Sequence, residues 1–194
     1  TGKRSIYYSS CSSGVCGSSA SWASAQPILD PLVDFSLATG TWLYKYEYPL
    51  LALSGDTTQT RVHVIFEDSE TDYPQRNLGV FHKFCDNTTN CSGSDKWANA
   101  SVSGPDISSA MGYPHFSSVG PVGTNKLVAF WLDHPSFVGS ASGTFSLYSR
   151  VWDDALAQWS DTSVIQPLND VPFQMVPARN GFWIATLQNG MVST

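Results

Sequence analysis

The densest group of carboxylates in this chain follows directly on an apolar run at residues 62–66. Carboxylate oxygens at alternating positions are ligands that Ca²⁺ accepts. The spacing of an EF-hand loop is missing, and acidic loops are often simply solvated. The pattern therefore leaves two interpretations open, a calcium site or an ordinary acidic loop, and predicts no other cofactor. The four candidate ligands are Glu67, Asp68, Glu70 and Asp72.

Two histidines lie at the ends of predicted strands, where catalytic side chains can be presented. His115 lies near the start of a strand that we expect to be innermost, and His134 follows the end of the next strand. An imidazole in such a place can act as a general base or bind a sugar hydroxyl. A structural role is the alternative for each, because neither has an identified partner. The candidate catalytic residues are His115, Asp68, Asp133 and His134.

The remaining histidines and the serines carry no recognisable catalytic pattern. His63 and His82 fall inside predicted strands, so we interpret them as packed or surface residues. The chain contains no GxSxG, no glycine-rich phosphate loop and no HExxH. The sequence therefore gives no support to a serine or cysteine nucleophile.

The cysteines form two local pairs, Cys11 with Cys16 and Cys85 with Cys91. Such spacing favours short disulfides and an oxidising, extracellular compartment. A zinc site is the alternative, although there is no CxxC and no nearby histidine pair. Three glycosylation sequons add weak support for secretion. They are at Asn87, Asn90 and Asn99.

The elements that must position these residues repeat along the chain. A proline opens each repeat, at Pro49, Pro114 and Pro172, and a tryptophan closes each, at Trp22, Trp97 and Trp159. Short apolar runs between turn clusters fill each repeat, without a helical period, which predicts an all-β protein. Four strands fit one repeat, as in a β-propeller blade.

We therefore predict a β-propeller with about three four-stranded blades in this chain. Two blades occupy residues 48–103 and 113–166, and residues 27–47 form an insertion. The third blade is shared between the termini, residues 1–26 with 171–194. Because three blades cannot close a ring, we expect dimerisation or a missing part of a longer chain to complete it.

The repeats resemble those of the sialidase-like BNR, or Asp-box, propellers. The resemblance lies in strands ending Phe66-Glu67-Asp68 and Trp131-Leu132-Asp133, each followed by a further strand, a turn and a tryptophan. In the defining turn, Ser-x-Asp-x-Gly-x-Thr-Trp, only Asp154 keeps its distance to Trp159, and Leu156 and Gln158 take the Gly and Thr places. We interpret the cysteine pairs as replacing this turn in the other two loops. The resemblance implies a propeller, and members include sialidases, other glycoside hydrolases, polysaccharide lyases and lectins.

A sialidase needs an arginine cluster that binds the substrate carboxylate, a Tyr/Glu pair and an acidic residue. The chain has five arginines, and none lies in an Arg-Ile-Pro motif. The family's catalytic set therefore cannot be transferred to it. The arginines are Arg4, Arg61, Arg76, Arg150 and Arg179.

Aromatic side chains outside the repeat are the candidate ligand surface. Trp22, Trp97 and Trp159 recur with the repeat and are expected to pack between strands. The others lie in the insertion or a loop, where binding residues concentrate, and aromatic rings can stack on sugars. These candidates are Trp42, Tyr44, Tyr46 and Tyr73.

Charge and hydropathy exclude several partners. A formal net charge of −6 leaves no basic face for nucleic acid or anionic membranes. No apolar run approaches the roughly 18 residues of a membrane span. Residues 1–4 are not a signal peptide, so we expect that targeting was removed or that the chain is an internal piece.

The sequence thus predicts an extracellular, carbohydrate-binding or cell-surface interaction propeller whose partners are glycans or a surface glycoprotein. A glycan-cleaving enzyme with its site at the hub, either a sialidase-like hydrolase or a polysaccharide lyase, is the alternative. A structural or assembly module is the third hypothesis.

Overall fold

The computed structural model describes residues 6–11, 16–28, 44–56, 59–70, 77–86, 91–99, 113–134, 144–169, 173–178, 181–188 and 191–193. These residues form β-strands with two short 3-10 helices, at Ser19–Ser21 and Ser94–Lys96. The all-β prediction is confirmed. In the part of the chain described, no helix has the length and apolar character of a membrane span.

The strands are numbered in chain order. They are β1 (Tyr7–Tyr8), β2 (Gln26–Pro27), β3 (Tyr44–Gly55), β4 (Thr60–Glu70), β5 (Asn77–Asp86), β6 (Ala98–Asn99), β7 (Tyr113–Pro121), β8 (Lys126–His134), β9 (Thr144–Asp153), β10 (Gln158–Trp159), β11 (Ser163–Asn169), β12 (Phe173–Ala178), β13 (Gly181–Gln188) and β14 (Met191–Ser193).

Most of these strands pair with their neighbour in sequence, and every pairing is antiparallel. The first large sheet has the order β3-β4-β5-β6. The second has the order β10-β9-β8-β7, with β11 also pairing with β9. A third sheet is β12-β13-β14, and β1 pairs with β2. The strands of the first large sheet lie between residues 44 and 99, and those of the second lie between residues 113 and 169. The repeat bounds 48–103 and 113–166 stay a prediction.

The terminal segments form separate sheets in the described residues. β1 pairs with β2, and β13 pairs with β12 on one side and β14 on the other. A blade shared between residues 1–26 and 171–194 therefore stays a prediction. Of the predicted insertion, residues 29–43, which include Trp42, lie outside the described residues.

Strand β4 lies at the centre of the fold and is covered on both faces. The five residues 62–66 are all buried, and alternate side chains point to opposite faces of the sheet. Val62, Val64 and Phe66 pack against Ile6 and Ile28 on one side. A buried run that is apolar except for His63 fits a strand that has packing layers on both sides.

The opposite face of the first sheet packs on the second sheet. Ile65 lies in a cluster with Ala129 and Trp131, and a neighbouring cluster joins Ala52 to Trp152. Trp131 and Trp152 are both fully buried. Removing one such aromatic side chain from water contributes about 2–3 kcal/mol to folding, so this interface holds the two sheets together.

Two disulfides close equivalent loops, Cys11–Cys16 beside β1 and Cys85–Cys91 after β5. These are the local pairs that the sequence favours. The zinc alternative is excluded, because all four thiols are used in disulfides.

A tryptophan completes each disulfide loop in the same way. Each loop continues through a 3-10 helix into the tryptophan. The indole Nε1–H of Trp22 donates to the carbonyl oxygen of Cys16, and that of Trp97 donates to the carbonyl oxygen of Cys91, both at 3.0 Å. The two disulfide loops, which recur in the sequence, therefore also share the same tryptophan-to-cysteine hydrogen bond.

The hairpin turn between β3 and β4 requires a glycine. Gly55 has a φ of 100°, and a Cβ at this position would collide with the carbonyl oxygen of Gln59. We expect Gly55→Ala to lower the free energy of unfolding by more than about 1 kcal/mol, because strain and collision add. Urea unfolding measures this loss.

Two other glycines provide matched controls. Gly123 has a φ of 76° but open space around its Cβ position, so Gly123→Ala tests strain alone. Gly17 has neither feature, and Gly17→Ala is expected to change stability by less than about 0.5 kcal/mol. Equal unfolding midpoints for the three variants would contradict the assigned role of Gly55.

Candidate functional site

A polar cleft lies where three turns meet at one end of the two large sheets. The turns join β3 to β4, β7 to β8, and β9 to β10. The cleft is partly open to solvent and has a volume of about 160 Å³, room for about five water molecules. We call it the turn cleft, and its lining residues are Gly55, Asp56, Gln59, Arg61, Asn125, Asp154 and Ala155.

Backbone hydrogen bonds fix the three turns against one another. The amide of Gly55 donates to the carbonyl oxygen of Thr124, which joins the first turn to the second. The amide of Asp154 donates to the carbonyl oxygen of Asn125, which joins the third turn to the second. Both distances are 3.0 Å. The rim of the cleft is therefore held by main-chain contacts rather than by side chains alone.

Arg61 forms the floor of the turn cleft and is already paired with two carboxylates. Its Nε donates to Asp86 Oδ1 at 2.7 Å, and its Nη1 donates to Asp154 Oδ1 at 3.0 Å. The guanidinium carbon also lies 4.9 Å from the ring centroid of Phe84. One cation with two carboxylates, and Asp56 at the rim, give the cleft a negative balance of formal charge. An anionic ligand would therefore be repelled.

A buried chain of hydrogen bonds runs beneath this floor from the first sheet to the second. Ser54 Oγ lies 2.7 Å from His63 Nε2, and His63 Nδ1 lies 2.9 Å from His82 Nε2. The indole Nε1–H of Trp159 then donates to His82 Nδ1 at 3.1 Å. The two imidazole planes differ by only 9°, and the ring centroids are 5.1 Å apart. We call these four residues the histidine chain.

The indole at the end of the histidine chain assigns the position of each proton. Because an indole N–H only donates, His82 Nδ1 must accept, and a neutral His82 then carries its proton on Nε2. That proton is donated to His63 Nδ1, so His63 carries its own proton on Nε2 and donates it to Ser54 Oγ. The hydrogen-bond network thus assigns one direction to every donor in the chain.

Both histidines are neutral near pH 7. Burial lowers the pKa of His63 from 6.5 to about 4, although the carboxylate of Asp154, 3.8 Å from its Nε2, acts in the opposite direction. Burial also holds the pKa of His82 well below 6.5, and repulsion from a protonated His63 and from the charge of Arg61 lowers it further. For His63 the loss of water outweighs the attraction of Asp154, and no carboxylate is among the causes that shift the pKa of His82.

The histidine chain has the spacing of a nucleophile, a base and an orienting residue, but its protons run in the wrong direction. A base must accept the serine proton on the nitrogen that faces Ser54. In this chain His63 Nε2 already carries a proton, and Ser54 is only 6% exposed. Both features argue against activation of Ser54 as a nucleophile. His63 and His82 were interpreted as packed or surface residues, and the structure shows that both are packed.

Seven of the residues predicted to be functional lie on strand segments at the opposite end of the sheets from the turn cleft. In β3 and β4, the register places Tyr46 opposite Asp68 and Tyr44 opposite Glu70. In β7 and β8, His115 lies opposite Leu132, and β7 contacts β3. We call this end the far edge. Its predicted site residues are Tyr44, Tyr46, Asp68, Glu70, His115, Asp133 and His134.

The other predicted residues are scattered or lie outside the described residues. Glu67 pairs with Val80 in the adjacent strand, and Asn99 pairs with Lys83. Within the described part of the chain, no group of three or more histidine, cysteine or acidic residues could hold a metal ion. The calcium site stays a prediction. Those outside the description are Trp42, Asp72, Tyr73, Asn87 and Asn90.

Sequence reasoning missed the turn cleft. Gln59 and Asn125 are isolated amides in turns, which carry no motif. Arg61 and Asp154 are 93 positions apart, and only the packing of one sheet on the other joins them. Asp154 was recognised, but as a turn residue rather than as the partner of an arginine.

Comparisons with protein-family models, characterised proteins and solved structures find no match to this chain. The resemblance to Asp-box repeats therefore stays a prediction. The function has to be inferred from the geometry of the chain itself.

Replacing Trp159 tests the direction of the histidine chain. Trp159→Phe keeps an aromatic ring and removes the donor to His82 Nδ1, so we expect a loss of about 1–3 kcal/mol in unfolding free energy. In the wild-type protein, ¹⁵N NMR of the imidazoles should find His63 and His82 protonated on Nε2. A His63 protonated on Nδ1 would contradict the assignment.

The buried histidines also predict how stability depends on pH. His63 has a pKa of about 4 in the folded state against an ordinary value of 6.5 in the unfolded state, so the folded state binds fewer protons between these values. The contribution of His63 to the free energy of unfolding therefore has its full value above pH 6.5, and it decreases as the pH falls toward 4. His63 alone accounts for about 2 kcal/mol between pH 6.5 and about 5, and His82 acts in the same direction.

Urea unfolding near pH 7.5 and near pH 5 measures this decrease. His115→Asn and His134→Asn serve as controls, because the decrease should persist in both if the buried pair is responsible. An unchanged or higher midpoint near pH 5 would show that the buried histidines do not titrate as described.

Proposed function

We propose that this chain is part of an extracellular β-propeller-type protein that binds neutral glycans in the turn cleft. The observation that carries the proposal is a polar cleft whose arginine is neutralised by two carboxylates. Such a surface favours ligands that carry many hydroxyl groups and no negative charge.

The turn cleft offers hydrogen-bonding groups that suit hydroxyls. Gln59 and Asn125 are exposed, and an amide side chain both donates and accepts. Asp56 adds carboxylate acceptors, although its Oδ1 already receives the amide of Gln59 at 2.9 Å. A sugar hydroxyl likewise donates and accepts, so each can pair with these groups. The cleft volume suits part of one sugar ring rather than a long oligosaccharide.

The same geometry argues against a sialidase-like carboxylate site in the turn cleft. Such a site needs guanidinium groups that can turn toward the ligand. Arg61 is committed to Asp86 and Asp154 and is 13% exposed. A ligand carboxylate would have to displace Asp86 or Asp154 from Arg61, and both already lie within hydrogen-bonding distance of it.

Three features support the propeller and the extracellular setting. The two large sheets are antiparallel meanders stacked face to face, as adjacent blades are. Their closing loops occupy equivalent places in each sheet. Two disulfides fit a secreted protein, because such bonds persist in oxidising compartments.

Glycan cleavage at the far edge is the second candidate. It is favoured by the positions of Asp68 and Glu70 in β4 and of Asp133 and His134 in β8, at the end of each sheet away from the turns that the Gly55–Thr124 hydrogen bond joins. A pair of carboxyl groups is the usual requirement for glycoside hydrolysis.

Binding to neutral and acidic oligosaccharides tests the proposal. A glycan array should identify neutral ligands, and calorimetry should then show that Gln59→Ala or Asn125→Ala weakens binding about three- to tenfold, the effect of one lost hydrogen bond. Gln158→Ala is the matched control, since Gln158 is an exposed glutamine outside the cleft lining.

The outcomes separate the candidates. A preference for acidic glycans, or equal affinity of the Gln59 and Gln158 variants, would contradict binding in the turn cleft. Shortening of the glycan during incubation, lost in Asp133→Asn but retained in Gln59→Ala, would place the function at the far edge.

A further inference from the structure

The histidine chain carries one hydrogen bond that crosses between the two large sheets. The indole N–H of Trp159 on β10 donates to His82 Nδ1 on β5 at 3.1 Å. The other contacts of the chain, from His82 to His63 and from His63 to Ser54, stay within the first sheet. Both histidines are fully buried, so neither ring has bulk water at hand to replace a lost partner.

The histidine chain has no place for an additional proton. In its neutral form, every contact of the chain joins one donor to one acceptor. A proton added to His63 goes to Nδ1, which faces the Nε2–H of His82, so two donors oppose each other. A proton added to His82 goes to Nδ1, which faces the indole N–H of Trp159 with the same result. Proton uptake by either ring therefore breaks one hydrogen bond of the chain.

The hydrogen bond that breaks is the one between the sheets. His63 and His82 lie on the adjacent strands β4 and β5, whose backbone ladder holds the two rings together. A protonated His63 can keep its bond to His82 when His82 carries its own proton on Nδ1 instead of Nε2. That proton then faces the indole N–H of Trp159. The conflict thus moves to the sheet interface, where no strand ladder joins the two large sheets in the described residues.

The charged groups around the two rings act mainly at the His63 end of the chain. Asp154 Oδ1 lies 3.8 Å from His63 Nε2, and Asp154 and Asp86 both favour a charged His63. Arg61 opposes a charge on either ring, and a charged His63 opposes a charge on His82. Burial is the largest effect and holds the pKa of both histidines below the usual range of an imidazole, so proton uptake requires acid.

We propose that the histidine chain is an acid-sensitive contact, which loosens the packing of the two large sheets when it takes up a proton. The hydrogen bond from Trp159 to His82 is lost, and each sheet keeps its own strand ladders. The rim of the turn cleft loosens at the same time, because the amide of Gly55 in the first sheet donates to Thr124 in a turn of the second. The proposal rests on the packing of the sheets and does not depend on glycan binding.

An NMR titration of the indole N–H groups, from about pH 7.5 toward about pH 4, tests the proposal in the wild-type protein. The Trp159 indole proton should shift upfield and exchange faster with water, because it loses its acceptor. The indole of Trp97 is the internal control. It packs edge to face against Tyr8, with ring centroids 5.3 Å apart, and donates to the carbonyl oxygen of Cys91, which does not titrate. Its signal should stay in place.

Amide hydrogen exchange distinguishes loosening between the sheets from unfolding of the whole chain. The amide of Gly55 donates across the two sheets, whereas the amide of Asp154 donates to Asn125 within the second sheet. After correction for the intrinsic pH dependence of exchange, the protection of Gly55 should fall about tenfold in acid, the effect of one lost hydrogen bond. The protection of Asp154 should be retained, and circular dichroism checks that the strands persist.

Two tryptophan variants separate the effect of the hydrogen bond from that of burial. Trp159→Phe and Trp131→Phe each shorten a side chain in the same apolar cluster, but of the two only Trp159 donates to a histidine. In Trp159→Phe, His82 Nδ1 no longer faces a donor. The imidazoles should therefore titrate about one pH unit higher in Trp159→Phe than in Trp131→Phe, as measured by their ¹⁵N shifts.

Three results would overturn the proposal. The first is titration of the wild-type imidazoles with no change in the Trp159 indole signal. The second is an equal titration midpoint in the two tryptophan variants. The third is a simultaneous loss of protection at Gly55 and Asp154, which would show that acid unfolds the chain as a whole.

Discussion

The arrangement of the two large sheets depends on the buried histidine chain. Taking two imidazoles out of water is costly unless their nitrogens are hydrogen-bonded. Here both ring nitrogens of His63 and of His82 have partners, from Ser54 at one end to Trp159 at the other. The imidazole nitrogens of the histidine chain all have hydrogen-bond partners only while Trp159 of the second sheet faces β5 of the first. The apolar contacts would tolerate small shifts between the sheets, whereas a directional hydrogen bond does not, so the histidine chain adds specificity to the packing.

The turn cleft follows from the same alignment. Arg61 comes from the first sheet and Asp154 from a turn of the second, and their hydrogen bond lies directly above the histidine chain. Asp154 also accepts the indole N–H of Trp152, which is part of the apolar interface. A shift between the sheets would therefore separate Arg61 from one of its two carboxylates and change the charge of the cleft. The electrostatic character of the candidate site is a consequence of the packing beneath it.

The sequence predicts what is local and misses what the stacking creates. Short apolar runs between turn residues are enough to predict the strands, because this pattern lies within a single segment of the sequence. The spacing of the cysteines is enough to predict the disulfides. Residues 62–66 are apolar except for His63, which predicts a buried strand but not what covers it. The pairing of His82 with Trp159 joins positions 77 apart, and no short pattern encodes it. The far edge holds the predicted residues because strand ends are easy to recognise, whereas the turn cleft consists of ordinary turn residues that only the three-dimensional arrangement brings together.

The three closing tryptophans explain why the histidine chain occurs at only one of the two interfaces. In the disulfide loops, the indole N–H is already used by the carbonyl oxygen of a cysteine, so Trp97 can offer Tyr8 only its apolar ring. The turn before Trp159 has no disulfide. In that turn, Asp154 Oδ1 accepts the indole N–H of Trp152 rather than that of Trp159. The indole N–H of Trp159 is then available to cross the interface to His82. His82 occupies the position that Tyr8 has at the other interface. Its Nδ1 accepts a hydrogen bond from the indole N–H of Trp159, which a tyrosine ring would leave without an acceptor. The indole N–H of a closing tryptophan thus either binds a carbonyl oxygen within its own disulfide loop or donates a hydrogen bond to the neighbouring sheet.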